Sequence, residues 1–569
     1  MRIDTRPLPA HLPDLGGLPP LLTRLYAARG VQNQAELSHS LAQLAPWQLL
    51  KGIDSAVELL LKARQTQQRI LVIGDFDADG ATASAVAILG LRALGFTQVD
   101  YLVPNRFEYG YGLSPAIVEV AKTRQPDLLI TVDNGISSLE GVAAAKAAGI
   151  KVLITDHHLA AAELPEADAL VNPNQPGCPF SSKALAGVGV MFYVLLALRA
   201  KLREQGEFED KPAPNLAELL DLVALGTVAD VVPLDANNRI LVQQGLLRIR
   251  AGKCRLGIAA LLEVAKKTQA QLHASDLGFI VGPRLNAAGR LDDISLGIEC
   301  LLAEDATLAK DMAEELDSLN RDRRQIEQGM QREALAQLKE LDESNLPFGL
   351  CLFDKDWHQG VIGILAARLK ERYHRPTIAF ANADNGELKG SARSVQGFHI
   401  REALEAVAAR YPHLIEKFGG HAMAAGLSLK QENFTDFARA FDEEVRRQLN
   451  AEQLCARIDS DGTLSTEELS LALARQLHTA GPWGQQFPEP LFHGLFKIKS
   501  QRLIGERHLK LQLATLCETV AVEGIAFNIE RSEWPNEQIK QVNIAYRLDI
   551  NHYRGNETLQ LVVVHIEPH

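Results

Sequence analysis

A chain of 569 residues is too long for one ordinary core, so several domains of about 100–200 residues each are expected. Hydrophobic residues make up 46% and charged residues 23%, an ordinary globular balance, and no run of about 18 apolar residues marks a membrane span. The formal net charge of -12 excludes a surface coated in positive potential, yet it leaves room for one local basic channel on a nucleic acid.

The first residues carry Pro7, Pro9, Pro13, Pro19 and Pro20 without the apolar stretch of a signal peptide, so a cytoplasmic protein is expected. They read as an N-terminal arm over 1–45. From residue 69 the apolar runs 69–74, 127–132 and 151–155 alternate with stretches of helical composition at 81–94 and 141–149. That alternation implies an α/β fold with a parallel sheet covered by helices, here assigned to a domain over 46–300. Residues 301–341 lack proline. There Leu308, Met312, Leu316, Leu319, Ile326, Met330 and Leu338 recur near helical spacing. A long connecting helix within 301–345 is expected. The alternative is two helices broken at Gly329 or within 321–324. Mixed strand and helix patterns return in a second α/β domain over 346–454, with Gly-rich segments at 386–397 and 419–426. Alternating runs at 495–499, 509–513 and 559–564 predict a small OB-like β-barrel over 455–569. The six cysteines, Cys178, Cys254, Cys300, Cys351, Cys455 and Cys517, form no C-x-x-C pair and read as reduced thiols.

Acidic and imidazole residues collect where the strand-like runs end. Asp75-x-Asp77-x-Asp79-Gly80 follows the first, Asp133-Asn134-Gly135 the second and Asp156-His157-His158 the third. Asp230 closes a further apolar run. Ligands bind outside the carboxyl ends of strands in open parallel sheets, so these segments converge on one place. Carboxylates so close together repel and raise one another's pKa, and a bound divalent cation removes the conflict. Oxygen ligands with one or two imidazoles suit Mn²⁺ or Mg²⁺. Two such ions would activate a water and stabilise both oxygens in a phosphoryl displacement, with Asp133 as the bridging carboxylate. An EF-hand loop begins in the same way, but it needs a glutamate at its twelfth position, where this chain has Val86, and helices on both sides.

These motifs, in this order, resemble the DHH phosphoesterase superfamily. The resemblance implies metal ligands at Asp77, Asp79, Asp133, His157 and Asp230, with Asp75 direct or just behind them, and His158 facing the scissile phosphate. The segments 105–113, 283–291, 357–363 and 390–394 resemble the RecJ exonuclease family within it, and 419–426 resembles the DHH-associated domain. This second resemblance implies a single-stranded-DNA-specific 5′→3′ exonuclease of recombination and repair, working with single-strand-binding protein and a helicase. Two other readings stay open: an oligoribonuclease or small-nucleotide phosphodiesterase of the same superfamily, and a non-catalytic replication scaffold.

The remaining candidates come from chemistry together with that resemblance. Arg284 and Arg290 flank Asn286 in a glycine-containing loop, and guanidinium groups match phosphate geometry. Arg290 would join His158 in stabilising developing charge. Gly420 and His421 precede an Ala-rich stretch read as helical, whose amino end would accept a phosphate. Ser391 and Arg393 are candidates for an oxyanion pocket, and His358 for a phosphate contact before a helix. Arg106 and Tyr111 suit a strand contact and base stacking. The cluster of Lys497, Lys499, Arg502, Arg507, His508 and Lys510 is a candidate basic stripe on the barrel. Each domain has apolar residues enough to bury its own core, so a monomer is expected.

Overall fold

Five short strands build the first sheet. β1 (Ile70–Ile73), β2 (Val99–Leu102), β3 (Leu128–Val132), β4 (Lys151–Thr155) and β5 (Ala169–Val171) are parallel, in the order β2-β1-β3-β4-β5. Every residue of β1 and β3 is buried, as befits central strands covered on both faces. The strand order reverses between β1 and β3, and parallel sheets open a crevice at their carboxyl edge at such a point. Residues 74–79 and 133–135 leave the sheet there. The computed structural model describes residues 2–103, 109, 112–339, 346–383, 386–505, 507–529, 534–553 and 555–569.

The helix after β1, α1 (Ala78–Ala93), is buried on nearly every face, which a helix of alanine, glycine and aliphatic residues tolerates. It packs against α2 (Gly187–Glu204) and α3 (Leu220–Ala229). A π-helical turn, Leu277–Val281, leads into α4 (Gly282–Leu291). The expected loop over 283–291 is thus a helix. It forms because Pro283 sits in the first turn, where its missing N–H costs nothing, and Leu285, Ala287 and Ala288 bury one face.

One helix, α5 (Ala306–Lys339), runs for 34 residues without a break at Gly329 or at 321–324. An added Cβ at Gly329 would meet nothing within 4 Å. Gly329→Ala is therefore expected to stabilise the chain by roughly 1 kcal/mol, read as a rise in unfolding midpoint, because alanine loses less backbone entropy in a helix.

The chain divides into two compact units, residues 3–317 with 459–569 and residues 1–2 with 318–458. The smaller unit holds a mixed sheet of β6 (Leu350–Phe353), β7 (Thr377–Asn382), β8 (Glu387–Arg393), β9 (Lys417–Gly420) and β10 (Ala424–Lys430), in the order β9-β10-β8-β7-β6. Helix α6 (Ile362–Tyr373) covers part of it, and Phe380, Phe437 and Phe441 are fully buried in its core. The Ala-rich stretch after Gly420 and His421 is strand β10, not a helix. Ala425, Leu427, Ser428 and Leu429 are buried, and the strand pairs with β9 and β8 on its two edges. Tertiary pairing overrides the helical preference of alanine there.

The larger unit also contains a closed five-stranded barrel, β11 (Phe492–Ile504), β12 (His508–Thr515), β13 (Ala521–Phe527), β14 (Gln541–Tyr553) and β15 (Asn556–Pro568), in the order β11-β12-β13-β15-β14. The β13–β15 pair is parallel, and the other pairs are antiparallel. The N-terminal arm ties this barrel region to the first sheet's domain. Arg29 makes a bidentate, fully buried pair with Asp461 at 2.9 and 2.9 Å. The rings of Tyr26, Trp483 and Phe487 stack, and the Arg239 guanidinium lies 4.2 Å from the Phe487 ring centre. Among the described residues no helix is long and apolar enough to cross a membrane.

Candidate metal centre

The end of β1 turns straight into α1, and the turn is built by carboxylates. Asp77 caps the helix, its Oδ1 accepting from the N–H groups of Asp79 (2.9 Å) and Gly80 (3.0 Å). At the end of β3 the backbone bends at Asp133, whose φ of 63° is left-handed. Aspartate and asparagine tolerate that region better than most residues. Asn134 pins the bend by donating to Ile73 O (3.0 Å) and Val132 O (2.9 Å), which ties the ends of β1 and β3 together.

Asp156, after β4, is saturated. Its Oδ1 accepts from His157 N (2.7 Å), His158 N (3.1 Å) and His158 Nδ1 (2.7 Å), and its Oδ2 from Ile136 N (2.8 Å). It therefore orients both histidines rather than offering an oxygen to a cation. Asn172 and Asn174 complete the frame, donating to His158 O (3.0 Å) and His157 O (2.5 Å). Sequence reading assigned neither this role to Asp156 nor any role to the two asparagines, although the Asn-Pro-Asn run after a strand is visible there.

The ligand atoms of Asp75, Asp77 and Asp133 lie within 4.8 Å of one another, as do those of Asp133, His157 and His158, and those of Asp79, His157 and Asp230. Asp133 and His157 each belong to two of these groups, which matches a pair of neighbouring cations sharing a carboxylate. His157 Nε2 is 3.0 Å from Asp133 Oδ1 and 3.5 Å from Asp230 Oδ2. His157 Nε2 and Asp230 Oδ2 are both buried without a hydrogen-bond partner among the described residues. Buried polar atoms are seldom left so, and a cation would satisfy both.

The electrostatics agree. Burial, then the charges of Asp79, Asp77, Asp230 and Asp75, push Asp133 well above the carboxylate range. Asp75 and Asp79 are raised in the same way, by burial first and then by neighbouring aspartates. Burial raises Asp230 as well. Burial lowers His157, so its imidazole is neutral and able to coordinate. For His158 burial pulls down, but the hydrogen bond and charge of Asp156 outweigh it and lift the imidazole to about 9.

Two features of the site correct the strand-end picture. Asp230 is the C-cap of α3, not the end of a strand. A carboxylate at a helix C-terminus faces the negative end of the helix dipole, a placement that a bound cation would compensate. Asp79 is gripped by the amino end of α2, with Gly187 N donating to Oδ2 (2.6 Å) and Val188 N to Oδ1 (2.9 Å). Sequence inspection missed this cradle, because it joins residues more than a hundred positions apart.

Three segments of the chain match family models: residues 69–227 the N-terminal domain of the DHH family, residues 346–447 the DHHA1 domain, and residues 460–565 the RecJ OB domain. The single-stranded-DNA-specific exonuclease RecJ of Salmonella typhimurium is 56% identical, over 99% of this chain and 98% of that one. The chain belongs to the RecJ family. The Escherichia coli RecJ of the same description is 55% identical over the same shares of the two chains. The crystal structure of Thermus thermophilus RecJ in complex with Mn²⁺ superposes with a TM-score of 0.82 at 30% identity, covering 100% of this chain and 79% of that one.

The other candidate residues of this RecJ-family chain fall into distinct places. Arg106 and Tyr111 lie outside the described residues. Asn286 Oδ1 accepts from Ala78 N (2.7 Å), so α4 is fastened directly to the Asp75–Asp79 turn. Arg284 is 7% exposed and held by Asp317 (2.8 and 3.0 Å) and Ile280 O (2.6 Å), which leaves it a scaffold for α4. Arg290 is half-buried in the last turn of the same helix. Ser391, Arg393, His358, Gly420 and His421 all belong to the smaller unit. Arg393 Nη1 donates to Ser391 Oγ (3.2 Å), and both side chains abut Gly363 in the first turn of α6. His358 Nδ1 accepts from Gly360 N (3.1 Å) just before that helix. On the barrel, Lys497 and Lys499 both pair with Glu518 (2.7 and 2.5 Å) and Lys510 with Glu523 (2.8 Å), so much of the expected basic stripe is neutralised.

Proposed function

We propose that this RecJ-family chain is a single-stranded-DNA-specific 5′→3′ exonuclease that hydrolyses phosphodiester bonds in DNA recombination and repair. The observation that carries the reading is the convergence of five buried or half-buried aspartates and two histidines at the carboxyl edge of the parallel sheet, in a chain 56% identical to a named single-stranded-DNA-specific exonuclease.

Asp75, Asp77, Asp79, Asp133, His157 and Asp230 would hold two Mn²⁺ or Mg²⁺ ions, Asp133 being common to two of the three ligand groups. When bound, such a pair activates a water and stabilises the attacking and leaving oxygens of an in-line displacement. The chain's own residues supply the rest. Asp156 keeps His158 charged and oriented through Nδ1, which presents Nε2–H as a donor to a non-bridging phosphate oxygen. Arg290, on a helix fastened to the site by Asn286, adds a second positive group for the developing charge. Gly187 and Val188 fix Asp79 with backbone donors that cost no rearrangement during the reaction. Ser391, Arg393 and the amino end of α6 form a donor set suited to a terminal phosphate. His358, Gly420 and His421 remain proposed contacts to single-stranded DNA, as do Arg106 and Tyr111.

The domain division we propose is an arm over 1–45, a catalytic domain over 46–300, a connecting helix within 301–345, a DHH-associated domain over 346–454 and an OB-like domain over 455–569. A cytoplasmic monomer working beside single-strand-binding protein and a helicase completes the reading.

The deciding measurement uses 5′- and 3′-labelled single strands and a matched blunt duplex, with Mn²⁺, with Mg²⁺ and with chelator. Cation-dependent loss from the 5′ end of the single strand alone is expected. Cleavage confined to very short oligonucleotides would instead point to a small-nucleotide phosphodiesterase, and no cleavage would point to a scaffold.

Cation binding should also be visible without any substrate. Because the folded-state pKa values of Asp75, Asp79, Asp133 and Asp230 are raised, their contribution to stability is present at acid pH and lost as pH rises through those values. A bound cation reverses that loss. Mn²⁺ is expected to raise the unfolding midpoint over chelator-treated protein, by about 2.7 kcal/mol of stability at a hundredfold excess over Kd. The difference should widen as pH rises, and calorimetry should record proton release on binding.

A further inference from the structure

A cavity of about 350 Å³ lies between the N-terminal arm and the residues that lead into the barrel. Its lining shares no residue with the acidic site. Arg6, Arg24, His493 and Thr463 give it polar walls, and Leu8 and Leu25 give it an apolar one. Small-molecule pockets span about 300–1,000 Å³ and combine apolar walls with a few polar groups in this way.

The charge of the cavity is positive, in a chain whose net charge is -12. The one carboxylate in the lining, Asp461, is already satisfied. Its two oxygens accept from Arg29 (2.9 and 2.9 Å), and Oδ2 also accepts from Leu491 N (3.0 Å). Arg29 cancels that charge, which leaves the guanidinium groups of Arg6 and Arg24 in excess within this set. Arg6 Nη2 donates to Asp459 O (3.2 Å), but Arg6 Nε, 3.5 Å from Asp461 Oδ1, is buried without a hydrogen-bond partner among the described residues. Buried donors are seldom left so. The half-buried Arg24 side chain has no partner among the described residues either. His493 Nδ1 is 2.8 Å from Ser460 Oγ, which leaves Nε2 for a ligand. The walls are fixed in advance, because Arg6 N donates to Ser460 O (2.7 Å) and His493 N to Gly462 O (3.0 Å).

We propose that this cavity is a second ligand site, which binds a nucleoside monophosphate with its phosphate on Arg6, Arg24 and His493. Guanidinium groups match phosphate geometry, and a dianion balances the two charges in excess. The space beyond one phosphate, walled by Leu8 and Leu25, takes the nucleoside. The choice of a nucleoside over another organic group rests on the function proposed above, since an exonuclease releases mononucleotides.

The test is calorimetric titration of the full chain with deoxyadenosine monophosphate, deoxyadenosine and inorganic phosphate, in chelator so that no cation draws phosphate to the acidic site. The monophosphate should bind at least about tenfold more tightly than either of its parts, the worth of one charge-assisted hydrogen bond or more. Arg24→Gln should lose at least about tenfold in that affinity, and Thr463→Asp, which sets a carboxylate on the exposed side of the cavity, should lose as much. Thermal unfolding of both variants should match wild type, because neither side chain holds a partner among the described residues. His158→Ala, altered in the acidic site, should bind the monophosphate as wild type does. No binding by wild type, unchanged binding in both cavity variants, or a loss confined to His158→Ala would overturn the site. Inorganic phosphate binding as tightly as the monophosphate would overturn the nucleoside assignment. Wild type that degrades single strands yet binds no monophosphate sinks the cavity alone, and wild type that binds it yet degrades nothing sinks the exonuclease reading alone.

Discussion

Replacing Asp133 with asparagine is expected to lower cation-dependent degradation of single-stranded DNA by at least about 1,000-fold, equivalent to about 4 kcal/mol of transition-state stabilisation. Asp133 is the carboxylate common to two of the three candidate ligand groups, so its loss strips charge from both proposed cation positions at once. Asparagine is the informative replacement, because it suits the left-handed backbone at φ 63° and nearly preserves the shape of the side chain. The same variant should unfold at a higher temperature than wild type in chelator. Burial and four neighbouring aspartates make the Asp133 charge unfavourable in the metal-free protein, and an amide carries none. Activity and metal-free stability should thus move in opposite directions, the behaviour of a site whose charges are placed for a ligand rather than for the fold. A variant that lost activity and stability together would point to a misfolded sheet edge instead. Labelled-strand assays and thermal unfolding, run side by side, separate the two.

Gly187→Ala is expected to weaken cation binding and activity by at least about 100-fold, even though residue 187 carries no functional group. A Cβ there would lie 2.5 Å from both Cβ and Oδ1 of Asp133, and those atoms sit at the base of a buried side chain with nowhere to go. The same residue's N–H holds Asp79 at 2.6 Å, so a shift of the α2 terminus disturbs two carboxylates in one step. Misplacing reactive groups by about 1 Å can cost about 100-fold in rate. Gly329→Ala is the matched control, since its added methyl meets open space. Cation titration by calorimetry and the strand-degradation assay check both variants, and near-wild-type cation affinity in Gly187→Ala would contradict the crowding argument.

What can be read from the residues alone depends on whether the determining interactions are local. The strands 70–73, 128–132 and 151–155 announce themselves as continuous apolar runs, because a strand buried on both faces needs such residues at every position. The acidic motifs stand immediately after those runs, so the crevice and the nearness of Asp75, Asp77, Asp133, His157 and His158 come directly from strand order and local spacing. The 34-residue helix is visible for the same reason, as periodicity without proline. The features hidden from sequence depend on partners distant in the chain. That 282–291 is a helix fastened by Asn286 to Ala78, that Arg284 is committed to Asp317, and that residues 424–430 form a strand are decided by tertiary contacts. The grip of Gly187 on Asp79 and the packing of the π-helical turn 277–281 on α3 likewise join segments about fifty or more positions apart. Composition and periodicity report which residues can be buried or helical. Only the folded chain decides which buried group meets which, because close packing and hydrogen-bond satisfaction are settled between segments and not within them.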